Sequence, residues 1–172
     1  MHDFEKVETF EAEAIGQPGQ RTFRLRIRSG AQAASIWLEK EQLAALSLAI
    51  RQILAQLSGG EVTEPRPPPA LSSDFPSQPS VDFKVGRLGL GYDDSEATLI
   101  LFAYQMEEEE KEDSPPFFIC RASQEQARAF SDMADAAVAA GRPICPLCDG
   151  SIDPEGHVCP RSNGHARWDV SP

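Results

Sequence analysis

The sequence has few of the side chains that commonly perform acid–base or nucleophilic chemistry. Its 172 residues include three histidines, four cysteines, two tyrosines and two tryptophans. It contains no Gly-x-Ser-x-Gly and no His-Glu-x-x-His motif, and it has too few histidines for a catalytic triad away from the C-terminal region. Gly86, Gly89 and Gly91 lack the order of a phosphate loop, so a glycine-bearing strand with a bulge or a close neighbour is favoured there. No catalytic residue and no organic-cofactor site is predicted.

An excess of positive charge is also missing. Acidic residues outnumber basic ones 27 to 16, and the net charge is −11. Because nucleic-acid binding depends on Lys and Arg neutralising phosphates, the charge argues against a whole-surface nucleic-acid binder and disfavours anionic membrane surfaces. A basic protein or a metal-charged ligand remains a plausible partner.

Long hydrophobic runs are absent too. No apolar run approaches the roughly 20 residues of a membrane span. The segment Met1–Glu5 lacks the basic and apolar regions of a signal peptide. Three of the four cysteines stand at metal-ligand spacing rather than as a disulfide framework, which is typical of a reducing compartment. We therefore expect a cytoplasmic protein.

Alternating and helical patterns define the secondary structure. In Thr22–Arg28, three apolar residues alternate with polar ones, which predicts a half-buried antiparallel strand with the arginines outward. Apolar residues at three- and four-residue steps predict a helix over 39–57, and a capping box at Ser123 and Gln126 predicts a second helix reaching about Ala140. Further strands are predicted over 6–14, 34–38, 81–92, 97–105 and 117–120.

The order of these elements indicates the fold class. Each half of the chain has three strands followed by one helix, which predicts an α+β fold with an antiparallel sheet duplicated as βββα; chance similarity between two amphipathic helices is the alternative. The α+β domain spans residues 1–141, and a C-terminal zinc ribbon over 142–172 packs on it. Proline-rich residues 59–80 are expected to form a linker or surface loop. Trp37 is expected in the core.

The C-terminal region carries the strongest chemical signal. Eight residues separate Cys145-x-x-Cys148 from His157-x-Cys159, and each pair is flanked by turn-forming residues. Thiolates and an imidazole in paired knuckles are typical of a zinc site. His157 closes the more compact ribbon, and His165 is the alternative fourth ligand. A redox dithiol formed by the first two cysteines is the other alternative.

Three thiolates and one imidazole fill the tetrahedral coordination of zinc. No position then remains for water, so the site is expected to hold one structural Zn²⁺ and to form no activated hydroxide. The sequence therefore favours a non-enzymatic binding or adaptor protein with an unidentified protein partner. A nucleic-acid-binding ribbon is a weaker alternative, because acidic residues offset Arg161, Arg167 and Trp168.

Several segments of the chain recur together in one protein family. They are Gly16-x-Pro18-Gly19-x-Arg21-Thr22-Phe23, Leu38–Gln42, Phe83-x-Val85-Gly86, Gln126–Phe130, Gly141-Arg142-Pro143-x-Cys145-Pro146-Leu147-Cys148 and Asp153-Pro154-x-Gly156-His157-x-Cys159-Pro160-Arg161-x-Asn163-Gly164. Through these segments the chain resembles, nearly end to end, an uncharacterised bacterial family, mainly actinobacterial, that carries a domain-of-unknown-function label.

The resemblance implies no assigned activity. Members are often encoded beside a histidine-phosphatase-like and a lipid-kinase-like protein, so a second hypothesis is an enzyme acting on a phosphorylated small molecule. The family carries an aromatic residue where this chain has His165, which favours His157 as the zinc ligand. The proline-rich segment departs from the family, and no function is expected of it.

Overall fold

The computed structural model describes residues 1–17, 19–61, 64, 66–108, 113–140, 145–148 and 159–161. Within them lie seven strands, two α-helices and a short 3₁₀ turn at Met106–Glu108. The strands are β1 (His2–Phe4), β2 (Thr9–Ile15), β3 (Thr22–Ser29), β4 (Gln32–Leu38), β5 (Val81–Asp93), β6 (Thr98–Gln105) and β7 (Phe118–Ser123). The helices are α1 (Lys40–Leu57) and α2 (Gln124–Ala139).

The strands form one sheet in the order β1-β7-β6-β5-β4-β3-β2. Strands β2–β4 form a first antiparallel meander and strands β5–β7 a second one. Each meander is followed by a helix, and the two meanders meet through a parallel pairing of β4 with β5. The predicted α+β class and the βββα plan of each half are confirmed.

Both helices cover one face of the sheet, which we call the inner face. The alternation in β3 places Phe23, Leu25 and Ile27 in the core, at most 4% exposed. From α2, the ring of Phe130 stacks on Phe10 of β2 with centroids 4.3 Å apart. Since burying one such side chain stabilises the fold by about 1.5–3 kcal/mol, this apolar layer fixes which face the helices cover.

The second meander changes its inward-facing residues at a bulge. Val85 is buried, but the register shifts between Val85 and Arg87, so Leu88 and Leu90 pair with inward residues of β6. On the other face the ring of Phe102 lies against Gly91, where an added Cβ would come within 3.2 Å of it. The sequence-based interpretation of this glycine-rich stretch as a bulged strand is confirmed.

The N-terminal strand β1 was not expected from the sequence. It pairs in parallel with β7, and His2 packs edge-on against Phe117 with ring centroids 5.1 Å apart. Immediately afterwards, the Val7 amide donates to Arg121 in β7 and the Glu8 amide donates to Arg28 in β3. This short segment therefore ties the two ends of the sheet together.

The outer face of the first meander is polar and is largely covered. Cross-strand neighbours place Glu11 beside Arg26 and Glu13 beside Arg24, and ion pairs link these side chains. Arg26 is only 7% exposed. Burial of charged groups is costly unless they are paired, so the alternation of acid and base across β2 and β3 is what allows this face to be covered.

The cover is the segment of residues 66–80, which we call the strap. Its Ser72 donates from its amide (2.9 Å) and its hydroxyl (2.5 Å) to Glu11, while its carbonyl accepts from Arg26 at 2.6 Å. The ring of Phe75 lies 4.6 Å from the Arg26 guanidinium, and Asp74 pairs with Arg28 at 3.2 Å. Residues 66–80 of the proline-rich segment, which was expected to be a linker or surface loop, thus lie on the surface and are held there by specific contacts.

Trp37 lies on this outer face rather than in the core, so the expectation for it was wrong. It stands beside Arg24 in the strand register, is half-buried, and donates from Nε1 to Asp82 at 2.8 Å. An indole can stack on a guanidinium with its polar edge in water, which makes an outer position stable for it.

A polar network joins the two helices. Arg51 of α1 donates to Asp132 at 3.0 Å and to Asp135 at 2.8 Å, and Ser47 donates to Asp135 at 2.6 Å. Partial burial acts to lower the pKa of Arg51, but these hydrogen bonds and charges raise it overall. The strap joins the same network, because Arg66 pairs with Asp132 at 3.5 Å.

No helix in the described part of the chain is both long and apolar enough to cross a membrane.

We expect Phe75→Ala to lower the free energy of unfolding by about 1–2 kcal/mol, since it removes stacking on two guanidinium groups and some apolar burial. Leu71→Ala is the matched control: Leu71 belongs to the same strap but is 41% exposed, so its loss should cost less than about 0.5 kcal/mol. Urea denaturation measures both. Equal effects would show that the strap contributes nothing through its stacking contacts.

We expect Asp132→Ala to destabilise the protein by about 2 kcal/mol, because it leaves Arg51 and Arg66 without a buried partner. Asp135→Ala should cost about 1 kcal/mol or less, since the Asp135 side chain is 49% exposed and that of Asp132 only 3%. Thermal and urea unfolding compare the two. A larger loss for Asp135→Ala would contradict a buried network centred on Asp132.

Candidate metal centre

Three cysteine side chains converge in the C-terminal region. The sulfur atoms of Cys145, Cys148 and Cys159 all lie within 4.8 Å of one another, and those of Cys145 and Cys159 are 3.8 Å apart. Cys145 and Cys159 are buried, at 5% and 3% exposure, whereas Cys148 is half-buried. The cysteines of both predicted ligand pairs thus belong to a single thiol cluster.

The sulfur spacing fits a tetrahedral metal site. With Zn–S bonds of about 2.3 Å, the edge of a regular tetrahedron is about 3.8 Å. That is the separation of the Cys145 and Cys159 sulfurs. A disulfide would need about 2.05 Å. The cluster therefore has the dimensions of a metal-binding set of thiols that are not covalently joined.

The first knuckle is built to stabilise a thiolate. Residues 146–148 form a turn, and the backbone amides of Leu147 and Cys148 donate to the Cys145 sulfur. These amides, helped by the Cys148 and Cys159 thiols, lower the pKa of Cys145 to about 6. Because the thiolate is the form that binds a metal, this turn prepares Cys145 as a ligand near neutral pH.

A side-chain contact joins the second knuckle to the first. Arg161, two residues after Cys159, donates from Nη1 to the Leu147 carbonyl at 3.3 Å. Leu147 itself is 42% exposed and lies between the two cysteines of the first knuckle. Arg161 therefore holds the two cysteine-bearing segments together. The sequence analysis considered its charge only for nucleic-acid binding and did not predict this contact.

The histidine ligands stay predictions. His157 and His165 both lie outside the described residues, so the choice between them is not tested by the geometry. Cys120 belongs to a different environment: it lies in β7 at 1% exposure, and burial raises its pKa well above the ordinary value. Cys120 therefore packs as a small apolar residue of the core.

A polar groove of about 820 Å³ lies beside the first turn of α2. Lys6 and Arg121 line it together with Glu5, Glu96 and Glu125. Acidic groups therefore outnumber basic ones, and Arg121 is already paired with Asp3 at 2.6 Å. No sequence motif indicated this groove, because its walls come from the chain terminus, the β5–β6 turn, β7 and α2.

The fold and the cluster together define an α+β protein with a metal-compatible three-cysteine cluster near its C-terminus. Residues 2–159 match the family model described as "Protein of unknown function (DUF3090)", and the chain belongs to this family. The match includes all three clustered cysteines. No curated protein and no solved structure matches the chain.

We expect the thiolate absorbance of the metal-free protein to show a step centred near pH 6, because backbone amides stabilise the Cys145 thiolate. The pKa of Cys145 in the folded state is below the unfolded value of about 8.5. The Cys145 thiolate therefore contributes to the free energy of unfolding above about pH 8.5, and this contribution is lost as the pH falls through about 6. Ultraviolet titration measures the step.

Cys145→Ser should remove the step near pH 6, whereas Cys120→Ser should leave it in place. A metal-free protein whose first thiolate appears only above pH 8 would show that the turn does not stabilise Cys145.

Proposed function

We propose that this protein is a zinc-binding protein with one structural Zn²⁺, held by Cys145, Cys148, Cys159 and His157, and that it acts as a non-enzymatic binding or adaptor protein. The observation that carries the proposal is the sulfur geometry: three sulfurs within 4.8 Å of one another, two of them separated by the edge length of a zinc–thiolate tetrahedron. Thiolate-rich tetrahedral sets favour zinc over hard cations such as Mg²⁺.

Two observations support His157 over His165 as the fourth ligand. His157 stands two residues before Cys159, so the close pair supplies two ligands from one short stretch of chain. The family match extends to Cys159 and thus includes His157 but not His165. A ligand inside the shared segment is the better candidate for a property of the whole family.

The structural role follows from coordination chemistry. Four protein ligands leave no coordination position for a water molecule. The metal would then stabilise the fold and would not generate a nucleophilic hydroxide. The C-terminal region is too short to bury a core of its own, and metal binding then supplies its folding free energy. The net charge of −11 favours a basic protein as the partner.

An enzyme acting on a phosphorylated small molecule remains the second candidate, and the groove beside α2 is where its substrate would bind. Support for it is weaker. Three carboxylates face two basic groups there, so a phosphate would meet net repulsion. A basic lining would have favoured this alternative.

Metal analysis of the purified protein tests the proposal. We expect one zinc per chain in the wild type, loss of at least about tenfold in zinc affinity for His157→Ala, and full retention for His165→Ala. Cys120→Ser is the matched cysteine control and should keep its zinc. Affinity is measured by competition with a chromogenic chelator.

The opposite pattern would change the conclusion. If both histidine variants keep the metal at wild-type affinity, a coordination position is open to water and the enzyme hypothesis takes precedence. If the wild type neither contains nor takes up zinc, the cluster is not a zinc site.

A further inference from the structure

The three clustered cysteines differ in their access to solvent. The sulfurs of Cys145 and Cys159 belong to residues that are 5% and 3% exposed, whereas Cys148 is half-buried. Cys148 ends the first turn, directly after Leu147, which is itself 42% exposed. A small polar oxidant approaching from solvent therefore reaches Cys148 first.

A second thiol lies close enough to react with an oxidised Cys148. The sulfur of Cys145 is within 4.8 Å of it, and the three-residue separation keeps the two on one turn. Reaction needs a thiolate, and both sulfurs already have that form when they bind the proposed zinc, because a thiol loses its proton on metal binding. Cys120, at 1% exposure within β7, has no comparable access.

We propose that Cys148 is an oxidation site for hydrogen peroxide, and that its oxidation joins it to Cys145 as a disulfide and releases the zinc. This inference rests on the proposed zinc site and deepens it, because it makes the metal centre reversible under oxidising conditions. The occupied centre corresponds to the reduced protein and the empty centre to the oxidised one.

The chemistry balances in two steps. The Cys148 thiolate attacks one peroxide oxygen, the O–O bond breaks, and hydroxide leaves while the sulfur becomes a sulfenic acid. The Cys145 thiolate then attacks that sulfur, the S–O bond breaks, a second hydroxide leaves and the S–S bond forms. Two thiolates supply the two electrons that reduce the peroxide. Zinc stays divalent and leaves because two of its four ligands are lost.

The test uses the zinc-loaded full-length chain treated with hydrogen peroxide. Zinc release is followed with a chromogenic chelator, and the oxidised residues are mapped by alkylation and mass spectrometry. We expect one zinc released per chain, a Cys145–Cys148 disulfide, an unmodified Cys120, and recovery of zinc binding after reduction with a dithiol.

Cys148→His is the matched variant. It keeps a ligand that zinc accepts but removes the accessible thiolate, so peroxide-driven zinc release should slow by at least about tenfold. Its zinc content is measured first. If this variant fails to bind zinc, the order of oxidation in the wild type at limiting peroxide decides, and Cys148 must be the first residue modified.

Three results would overturn the inference: zinc retained while the thiols stay reduced in excess peroxide, earlier oxidation of Cys159 or Cys120, or unchanged release from a zinc-loaded Cys148→His variant. These are distinct from failure of the zinc proposal itself. A wild-type chain that never binds zinc overturns both, whereas a zinc-loaded chain insensitive to peroxide overturns only this one.

Discussion

The parallel pairing of β4 with β5 joins the two meanders, with Ala34 opposite Val81 and Trp37 opposite Lys84. Parallel neighbours cannot be linked by a tight hairpin, so the chain between them must cross over the sheet. Here that crossover consists of α1 on the inner face and the strap on the outer face. The positions of α1 and of the strap therefore both depend on this one pairing.

The strap explains how one buried and two half-buried arginines of β3 are accommodated in an acidic protein. Arg24, Arg26 and Arg28 face outward from β3, and glutamates on β2 and aromatic or acidic groups of the strap surround them. Each guanidinium finds a charged or π partner when the strap is in place. The polar face thus specifies where the strap lies, whereas the apolar inner face supplies most of the driving force for folding.

The protein holds two classes of thiol that the fold keeps apart. Cys120 is one small apolar residue among the inward side chains of β7, with its pKa raised by burial. The cluster of Cys145, Cys148 and Cys159 has amides directed at sulfur, and its thiols face one another. Among the described residues, the thiols whose geometry could hold a metal ion are therefore those of the C-terminal cluster, whereas the thiol of the sheet is buried among apolar side chains.

Much of the architecture follows from local sequence patterns. The alternation of apolar and polar residues predicted β3. The capping box predicted the start of α2 correctly, and there the Ser123 hydroxyl accepts a hydrogen bond from the Gln126 amide at 3.1 Å. These signals are readable because they arise from neighbours within a few residues. The cysteine spacing likewise indicated two pairs of ligands, since such pairs are set by short turns.

Contacts between distant segments were decided only by the tertiary structure. Three features depend on partners that are distant in the sequence: the pairing of β1 with β7, the outer position of Trp37, and the contacts of the strap with β2 and β3. The same holds for the 3.8 Å approach of Cys159 to Cys145. The sequence by itself determined which residues could form strands, helices and ligand pairs. Which of them meet depends on the register of the whole sheet, because local periodicity carries no information about long-range partners.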